Sequence, residues 1–186
     1  LPAPLEVLEE RTVGAGLGSD SIREGITASI IGLIAVIVFM VLAYGLFGIF
    51  TTVTVLMNLF LMLGALSFMG ATLTLPGIAG IILTIGMAVD ANVLIFERMR
   101  EEVKNGRSTK DAAEAGFTEA WGTIVDSNLT TLVAAFVLFY FGTGPVRGFA
   151  VTLAIGIATS MFTSVTVTRL IIASWLNKYK PTKLPI

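Results

Sequence analysis

Two acidic side chains lie within long apolar stretches of the sequence, and they are the groups best suited to chemistry. Of the 13 acidic residues, only Asp90 and Asp126 lie inside these stretches. A carboxylate inside a bilayer costs about 3 kcal/mol or more, so it is neutral, is paired or lines water. A group balanced between these states can take up and release a proton. Both are therefore candidate proton-relay residues.

The composition is that of a membrane protein. Of the 186 residues, 55% are hydrophobic and 13% are charged, whereas about a quarter of the residues in a soluble domain are charged. The sequence has no cysteine and no histidine, which excludes disulfides, Cys/His metal sites and histidine acid–base catalysis. The net charge of −1 indicates no basic surface for nucleic acid. No nucleotide-binding loop is present, and we expect neither enzyme activity nor a cofactor.

Five stretches are long enough to cross a bilayer, which takes roughly 20 apolar residues. Short turns rich in glycine or proline separate most of them. The fold class is therefore predicted to be an all-α membrane protein, with a bundle of five transmembrane helices over residues 26–176. The predicted spans are Ile26–Phe47, Ile49–Phe68, Pro76–Phe96, Gly122–Phe141 and Gly148–Trp175.

Basic residues in the connecting segments predict the orientation of the bundle. Lysines and arginines are concentrated in segment 97–121 and in the tail 177–186, so both are predicted on the cytoplasmic side. The acidic segment 1–25 is predicted outside, as the end of an external strand domain and its linker. Because the chain starts at Leu1 with an external segment and no signal peptide, we expect it to be a piece of a longer polypeptide.

Segment 97–121 is predicted to contain a short amphipathic helix on the membrane surface. Ser108 and Asp111 resemble a helix cap, and apolar residues follow at helical spacing. Trp121 would then anchor the helix end at the interface. A solvated connector is the alternative.

The two buried acids are predicted to lie at the same depth. Asp90 comes seven residues before Glu97, and Asp126 comes seven residues after Glu119, so each is about 10 Å inside the cytoplasmic boundary. Consecutive antiparallel spans are often neighbours, which would bring the acids into one layer. The alternative is that either acid only bonds to a neighbouring helix, and this is more plausible for Asp126 because polar residues surround it.

Several nearby residues could assist a buried carboxyl group. Asn92, Asn128 and Thr130 supply the amide and hydroxyl groups that such a group needs. Arg169 lies about 13 Å inside the end of the last span and is a possible relay partner, although its side chain could instead snorkel to water. Gly86, one turn before the first acid, would let a neighbouring helix approach closely.

Four blocks of the sequence resemble the membrane part of the bacterial SecD family, within the resistance–nodulation–division superfamily. The segment 1–18 also resembles the family, so the resemblance covers essentially the whole chain. The blocks are TLPGIAG at 74–80, GMAVDANV at 86–93, DSNLTT at 126–131 and FGTGPVRGFA at 141–150.

The resemblance implies a six-span subunit of the bacterial cytoplasmic (inner) membrane, whose first span and periplasmic head this chain lacks. It implies pairing with the homologous SecF beside the SecYEG translocon, and use of the proton-motive force to promote preprotein export. The implied partners are SecF, SecYEG, an unfolded preprotein held by the missing head, membrane lipids and protons. Asp90 matches the family's proton-relay acid, and Asp126 would be a second member.

Two other functions stay open at this point. A proton-coupled exporter of small molecules or lipids from the same superfamily would use the same membrane acid. A non-transporting membrane scaffold would use Asp90 only for helix packing.

Overall fold

The described part of the protein folds as five long helical rods. A computed structural model describes residues 15–185, and within that range no strand occurs. Every rod is long and apolar enough to cross a membrane, which confirms the predicted all-α five-helix membrane bundle. The helices are α1 (Ala15–Tyr44), α2 (Leu46–Phe68), α3 (Leu75–Lys104) and α4 (Thr109–Phe141), and the fifth rod consists of α5 (Pro145–Met161), a π-helical segment (Phe162–Val167) and α6 (Thr168–Tyr179).

The turns between rods follow from residues with special backbone chemistry. Gly45 alone separates α1 from α2 and has φ +54°, a conformation that a side chain disfavours. Thr74 caps α3, because its Oγ1 accepts a hydrogen bond from the Gly77 N–H over 3.2 Å. Pro76 occupies the first turn of α3, where its missing N–H costs nothing. The turns therefore involve the predicted glycine and proline residues, but the first one lies at Gly45, and Gly48, which separated the predicted spans, is inside α2.

The first rod begins earlier than predicted. Helix α1 starts at Ala15, so residues 15–25 are helical and do not form a linker. The strand pattern noted near the start of the chain lies outside the described residues.

The segment between the third and fourth rods also differs from the prediction. Residues 109–121 are the first turns of α4 and continue into its span without a break. The prediction of a separate surface helix is therefore wrong. Ser108 does cap this helix, since its Oγ accepts from the Asp111 N–H over 3.2 Å. The apolar side of these turns packs inside the protein, through Ala112, Ala113, Ala115, Gly116, Phe117 and Ala120. Helices α3 and α4 thus form one long hairpin.

Helix α3 is the centre of the bundle. Its most apolar window is 56% buried, against 6% for α1 and 17% for α4. Aromatic packing fixes the end of the bundle near the hairpin: the Phe47 ring lies 5.4 Å from Phe96 and 5.8 Å from Trp175. Arg100 connects α3 to the end of α1, because its guanidinium donates to the Ala43 carbonyl over 2.8 Å. A residue on α3 is therefore held in a well-defined position.

Candidate proton-relay site

The middle of α3 presents two polar residues on opposite sides. Asp90 and Asn92 are two positions apart, which is about 200° around a helix. Asn92 is completely buried, whereas Asp90 is exposed on the surface of the chain. The Asn92 amide therefore lies on the side of α3 that faces the core, and the Asp90 carboxylate lies on the side that faces outward.

Asp90 lines a cleft of about 290 Å³ between α3 and α4. Its carboxylate forms no ion pair with any residue in the described range 15–185. From α4 the cleft is lined by Ile124, Ser127, Asn128 and Thr131. A carboxylate in a membrane-spanning helix thus opens onto a space large enough for water, with polar groups on the facing helix.

The polar groups on α4 are each held by their own helix. Asn128 Nδ2 donates to the Ile124 carbonyl over 2.7 Å, and Ser127 Oγ donates to the same carbonyl over 3.1 Å. Thr131 Oγ1 donates to the Ser127 carbonyl over 3.0 Å. Each hydroxyl oxygen keeps lone pairs that can accept, and the Asn128 amide keeps a second N–H and its carbonyl oxygen. The cleft can thus offer partners to a protonated or an ionised carboxyl group.

Asp126 is not part of this cleft. It lies two positions from the buried Asn128, on the other side of α4, and its side chain is exposed. Thr130 lies on the same side of α4, where its hydroxyl donates to the Asp126 backbone carbonyl over 2.9 Å. The cleft reaches the turn of α4 that contains Asp126, but the two carboxylates do not face each other within this chain.

The Arg169 guanidinium extends away from the Asp90 cleft. Its guanidinium is 6.0 Å from the centre of the Phe117 ring, and Phe117 precedes Asn128 by about 16 Å of helix. The arginine is therefore closer to the hairpin end than the Asp90 cleft is, and it does not line that cleft. The expectation of a direct partnership between Arg169 and the acids is not met within the chain. The backbone of Arg169 directly follows Thr168, which bonds to Asn92, but its side chain extends toward the hairpin end and Phe117, as in the snorkelling alternative.

The buried side of α3 forms a polar network with the fifth rod. Asn92 Nδ2 donates to the Ala88 carbonyl over 3.0 Å, and Asn92 Oδ1 accepts from Thr168 Oγ1 over 3.0 Å. Thr168 also lies 3.3 Å from Thr54 Oγ1 on α2. Ser164, within the π-helical segment, donates to the Ala88 carbonyl over 3.1 Å. Asn92 therefore ties α3 to the other helices and is not a neighbour of the Asp90 carboxyl.

Sequence reasoning missed the α2 side of this network. Thr51, Thr54 and Asn58 recur at helical spacing on one side of α2 and are fully buried. Among the described residues, the Thr51 hydroxyl and both polar atoms of Asn58 have no hydrogen-bond partner. The three-and-four spacing of polar residues inside an apolar span was the signal that could have identified this surface.

Close helix packing occurs at other glycines than the predicted one. A Cβ added to Gly86 would meet nothing within 4 Å, whereas one added to Gly156 would lie 2.9 Å from Thr84 Cβ. Gly86 faces open space, so its predicted role has no partner among the described helices of this chain and stays a prediction. Gly156 is where α5 approaches α3 closely.

Metal chemistry has no site in the part of the chain described. Within residues 15–185 no group of three or more acidic side chains is arranged to hold a metal ion.

Comparisons with known proteins agree with this architecture. The profile of the family "Protein export membrane protein SecD/SecF, C-terminal" matches residues 3–178. The chain belongs to this family. It is 56% identical over 180 residues to the protein translocase subunit SecD of Koribacter versatilis, covering 97% of this chain and 34% of that protein. It is 53% identical to SecD of Rickettsia prowazekii, covering 99% of this chain and 36% of that protein.

Solved structures show the same arrangement of helices. The crystal structure of SecDF from Thermus thermophilus, described as a translocon-associated membrane protein, matches with a TM-score of 0.92 at 43% identity. That match covers 97% of this chain and 25% of the other. A SecDF structure in a "Super-membrane-facing form" matches with a TM-score of 0.84 at 44% identity. The chain spans about a third of the length of its curated SecD relatives, so it corresponds to their membrane part.

Proposed function

We propose that this chain is the proton-responsive membrane part of an accessory subunit for protein export, and that Asp90 carries the proton. Its membership of the SecD/SecF family supports the export role. The use of a proton gradient is the finer part of the proposal. It rests on one observation, the unpaired carboxylate of Asp90 in the cleft between α3 and α4.

The cleft supports both protonation states of Asp90. An ionised carboxylate would be stabilised by water in the cleft and by the free N–H of Asn128. A protonated carboxyl group could donate to the hydroxyl oxygens of Ser127 or Thr131. Because no cation of the described chain pairs with the carboxylate, neither protonation state is locked by an ion pair. This is the requirement for a relay residue.

Neutralising Asp90 would change what can cover its side of α3. Asp90 is exposed on the single chain, and a lipid or a second membrane subunit would cover it in the membrane. Burying the ionised form against an apolar surface is costly, while the neutral form is far cheaper to bury. By the SecDF name of its relatives, we propose SecF as that second subunit and SecYEG as the translocon beside it.

A proton movement can be passed to other helices through the buried side of α3. Asn92 and the Ala88 carbonyl connect α3 to Thr168 and Ser164, which lie in and next to the π-helical segment Phe162–Val167. π-Helical turns often occur at functional sites and depart from regular helix geometry. A rotation of α3 would therefore move the fifth rod, which could bias two packings of the bundle that differ by a few kcal/mol.

The test is Asp90→Asn in the full-length protein, compared with Asp126→Asn. The amide cannot carry a proton in the same way, so we expect Asp90→Asn to abolish proton-gradient-dependent stimulation of preprotein export while the protein still assembles. The Asp126→Asn protein should keep most of its activity, because Asp126 does not line the cleft.

The measurement is preprotein translocation into or out of membrane vesicles with and without a proton gradient. Export that is unchanged by Asp90→Asn contradicts the relay and favours a scaffold. Failure of the variant protein to assemble would mean that Asp90 is a packing residue. Equal losses in both variants would show that a partner brings Asp126 into the relay.

A further inference from the structure

A groove runs along the outer surface between α4 and α6, near the hairpin end of the bundle. It consists of two adjoining clefts that share Phe117 and Arg169. The cleft toward the hairpin end has a volume of about 180 Å³ and also includes Lys110, Glu114 and Asn177. The cleft toward the membrane interior has a volume of about 310 Å³ and is completed by Thr118, Trp121 and Val165.

The groove changes from polar to apolar along its length. On α4, Lys110 and Trp121 are separated by about 16 Å of helix, and on the fifth rod Asn177 and Val165 are separated by about 18 Å. Both helices therefore place their polar residue at the hairpin end and their apolar residue deeper in the membrane. Arg169 lies between the two ends. This order matches the order of groups along a phospholipid molecule.

Arg169 lacks an acidic partner in the described range 15–185. Its guanidinium lies against Phe117, and neither Arg169 nor Lys110 forms an ion pair there. The arginines of the hairpin, by contrast, are paired: Arg98 and Arg100 contact glutamates, and Arg107 contacts Glu102 over 2.8 Å. An unpaired cation in a membrane-spanning helix is costly unless an anion reaches it.

We infer that this groove binds an anionic phospholipid of the surrounding leaflet, with its phosphate at Arg169 and Lys110. Basic pockets between helices are known to bind anionic headgroups. Arginine can hold a phosphate through two parallel N–H groups, and Lys110 adds a second charge. The start of an acyl chain would then lie against Val165 and Trp121. Glu114 at the edge of the first cleft opposes the anion, which leaves the two cations with the larger effect.

The test is lipid binding to the purified full-length protein, measured by native mass spectrometry with phosphatidylglycerol and with phosphatidylcholine as the two probes. Near a membrane surface each basic residue adds roughly a fivefold preference for anionic lipid. We expect Arg169→Gln and Lys110→Gln each to lower the phosphatidylglycerol preference by about that factor. Arg169→Lys should lose less, and Glu114→Gln should raise the preference.

Two further variants separate the groove from general surface charge and from a free anion. Lys104→Gln removes an exposed cation of the same end that does not line the groove, so it should leave the preference unchanged. Val165→Trp should fill the apolar end and weaken lipid binding without any change in charge. Soluble glycerophosphate should not compete with the lipid, since it has no acyl chain.

Three results would overturn the inference. Equal effects of Arg169→Gln and Lys104→Gln would mean that only net charge matters. Full competition by glycerophosphate would mean that the site binds a free anion. Unchanged lipid binding together with loss of another membrane subunit from the purified complex would mean that the groove is a protein interface.

Discussion

At the scale of single residues, α3 separates the proposed proton carrier from a structural residue by only two positions. Asp90 opens onto the α3–α4 cleft, whereas Asn92 is completely buried and bonded to Thr168. An amide cannot change its charge, so it can lock α3 at every pH. The position of α3 therefore does not depend on the carboxylate beside it.

The Asn92–Thr168 bond gives a prediction about stability. We expect Asn92→Ala and Thr168→Val each to destabilise the bundle. Thr168→Val leaves the buried Asn92 Oδ1 without its donor, and Asn92→Ala removes both hydrogen bonds of the buried amide. Hydrogen bonds between membrane helices contribute about 0.6 kcal/mol on average and up to about 1.7 kcal/mol. The double variant should therefore show a coupling energy in that range, measured from the free energies of unfolding of all four proteins in mixed micelles.

The matched control for this cycle is Thr130→Val. Its hydroxyl bonds only to the backbone of its own helix and is exposed, so the loss of stability should be much smaller. Strictly additive effects of Asn92→Ala and Thr168→Val would contradict a direct bond between the two side chains.

The residue scale also shows what spacing along the sequence can predict. Counting residues from the span ends predicted that Asp90 lies beside the part of α4 that contains Asp126, and the cleft of Asp90 does include this part of α4. The count could not predict which side of α4 each residue faces, because apolar residues near Asp126 occur on every side of that helix. For Arg169 the count likewise could not give the direction of the side chain. Its backbone follows Thr168, which bonds to Asn92, while its guanidinium lies at Phe117, toward the hairpin end.

At the scale of helices, close packing is set by a few small residues. A Cβ at Gly156 would lie 2.9 Å from Thr84 Cβ and would force α5 away from α3. We expect Gly156→Ala to destabilise the protein by about 1–3 kcal/mol, the usual cost of overpacking. The measurement is again unfolding in mixed micelles.

Gly86→Ala is the matched control for this substitution. No neighbour lies within 4 Å of the added atom, and replacing glycine with alanine inside a helix gains up to about 1 kcal/mol. The control should therefore be neutral or stabilising. A loss at Gly86 as large as the loss at Gly156 would contradict the packing described.

The hairpin shows why helix partners are harder to predict than helices. The cap at Ser108 and the apolar spacing after it were both correctly recognised. The apolar spacing, however, does not predict whether that side of the helix contacts lipid or protein. Here Gly116 allows that side to pack against α3, since a Cβ added there would lie 3.1 Å from the Ile95 carbonyl.

At the scale of the whole molecule, charge is distributed unevenly between the two ends of the bundle. The hairpin end carries the Arg98–Glu119 and Arg107–Glu102 pairs and the lysines of the tail. The opposite end has the short connections 69–74 and 142–144, which contain no charged residue. Because basic segments stay on the cytoplasmic side, the hairpin end should face the cytoplasm.

Single cysteines can test this orientation, because the chain has no cysteine of its own. We expect Asn105→Cys and Thr182→Cys to react with a membrane-impermeant maleimide only from the cytoplasmic side. Thr143→Cys should react only from the opposite side, since one span separates it from each of the other two. The full-length protein in intact cells and in inverted vesicles gives the two directions of labelling, with any cysteine outside this chain replaced. Labelling of residues 105 and 143 from the same side would mean that α4 does not cross the membrane. The Asp90 cleft would then not lie between the two aqueous phases, which would contradict its proposed role.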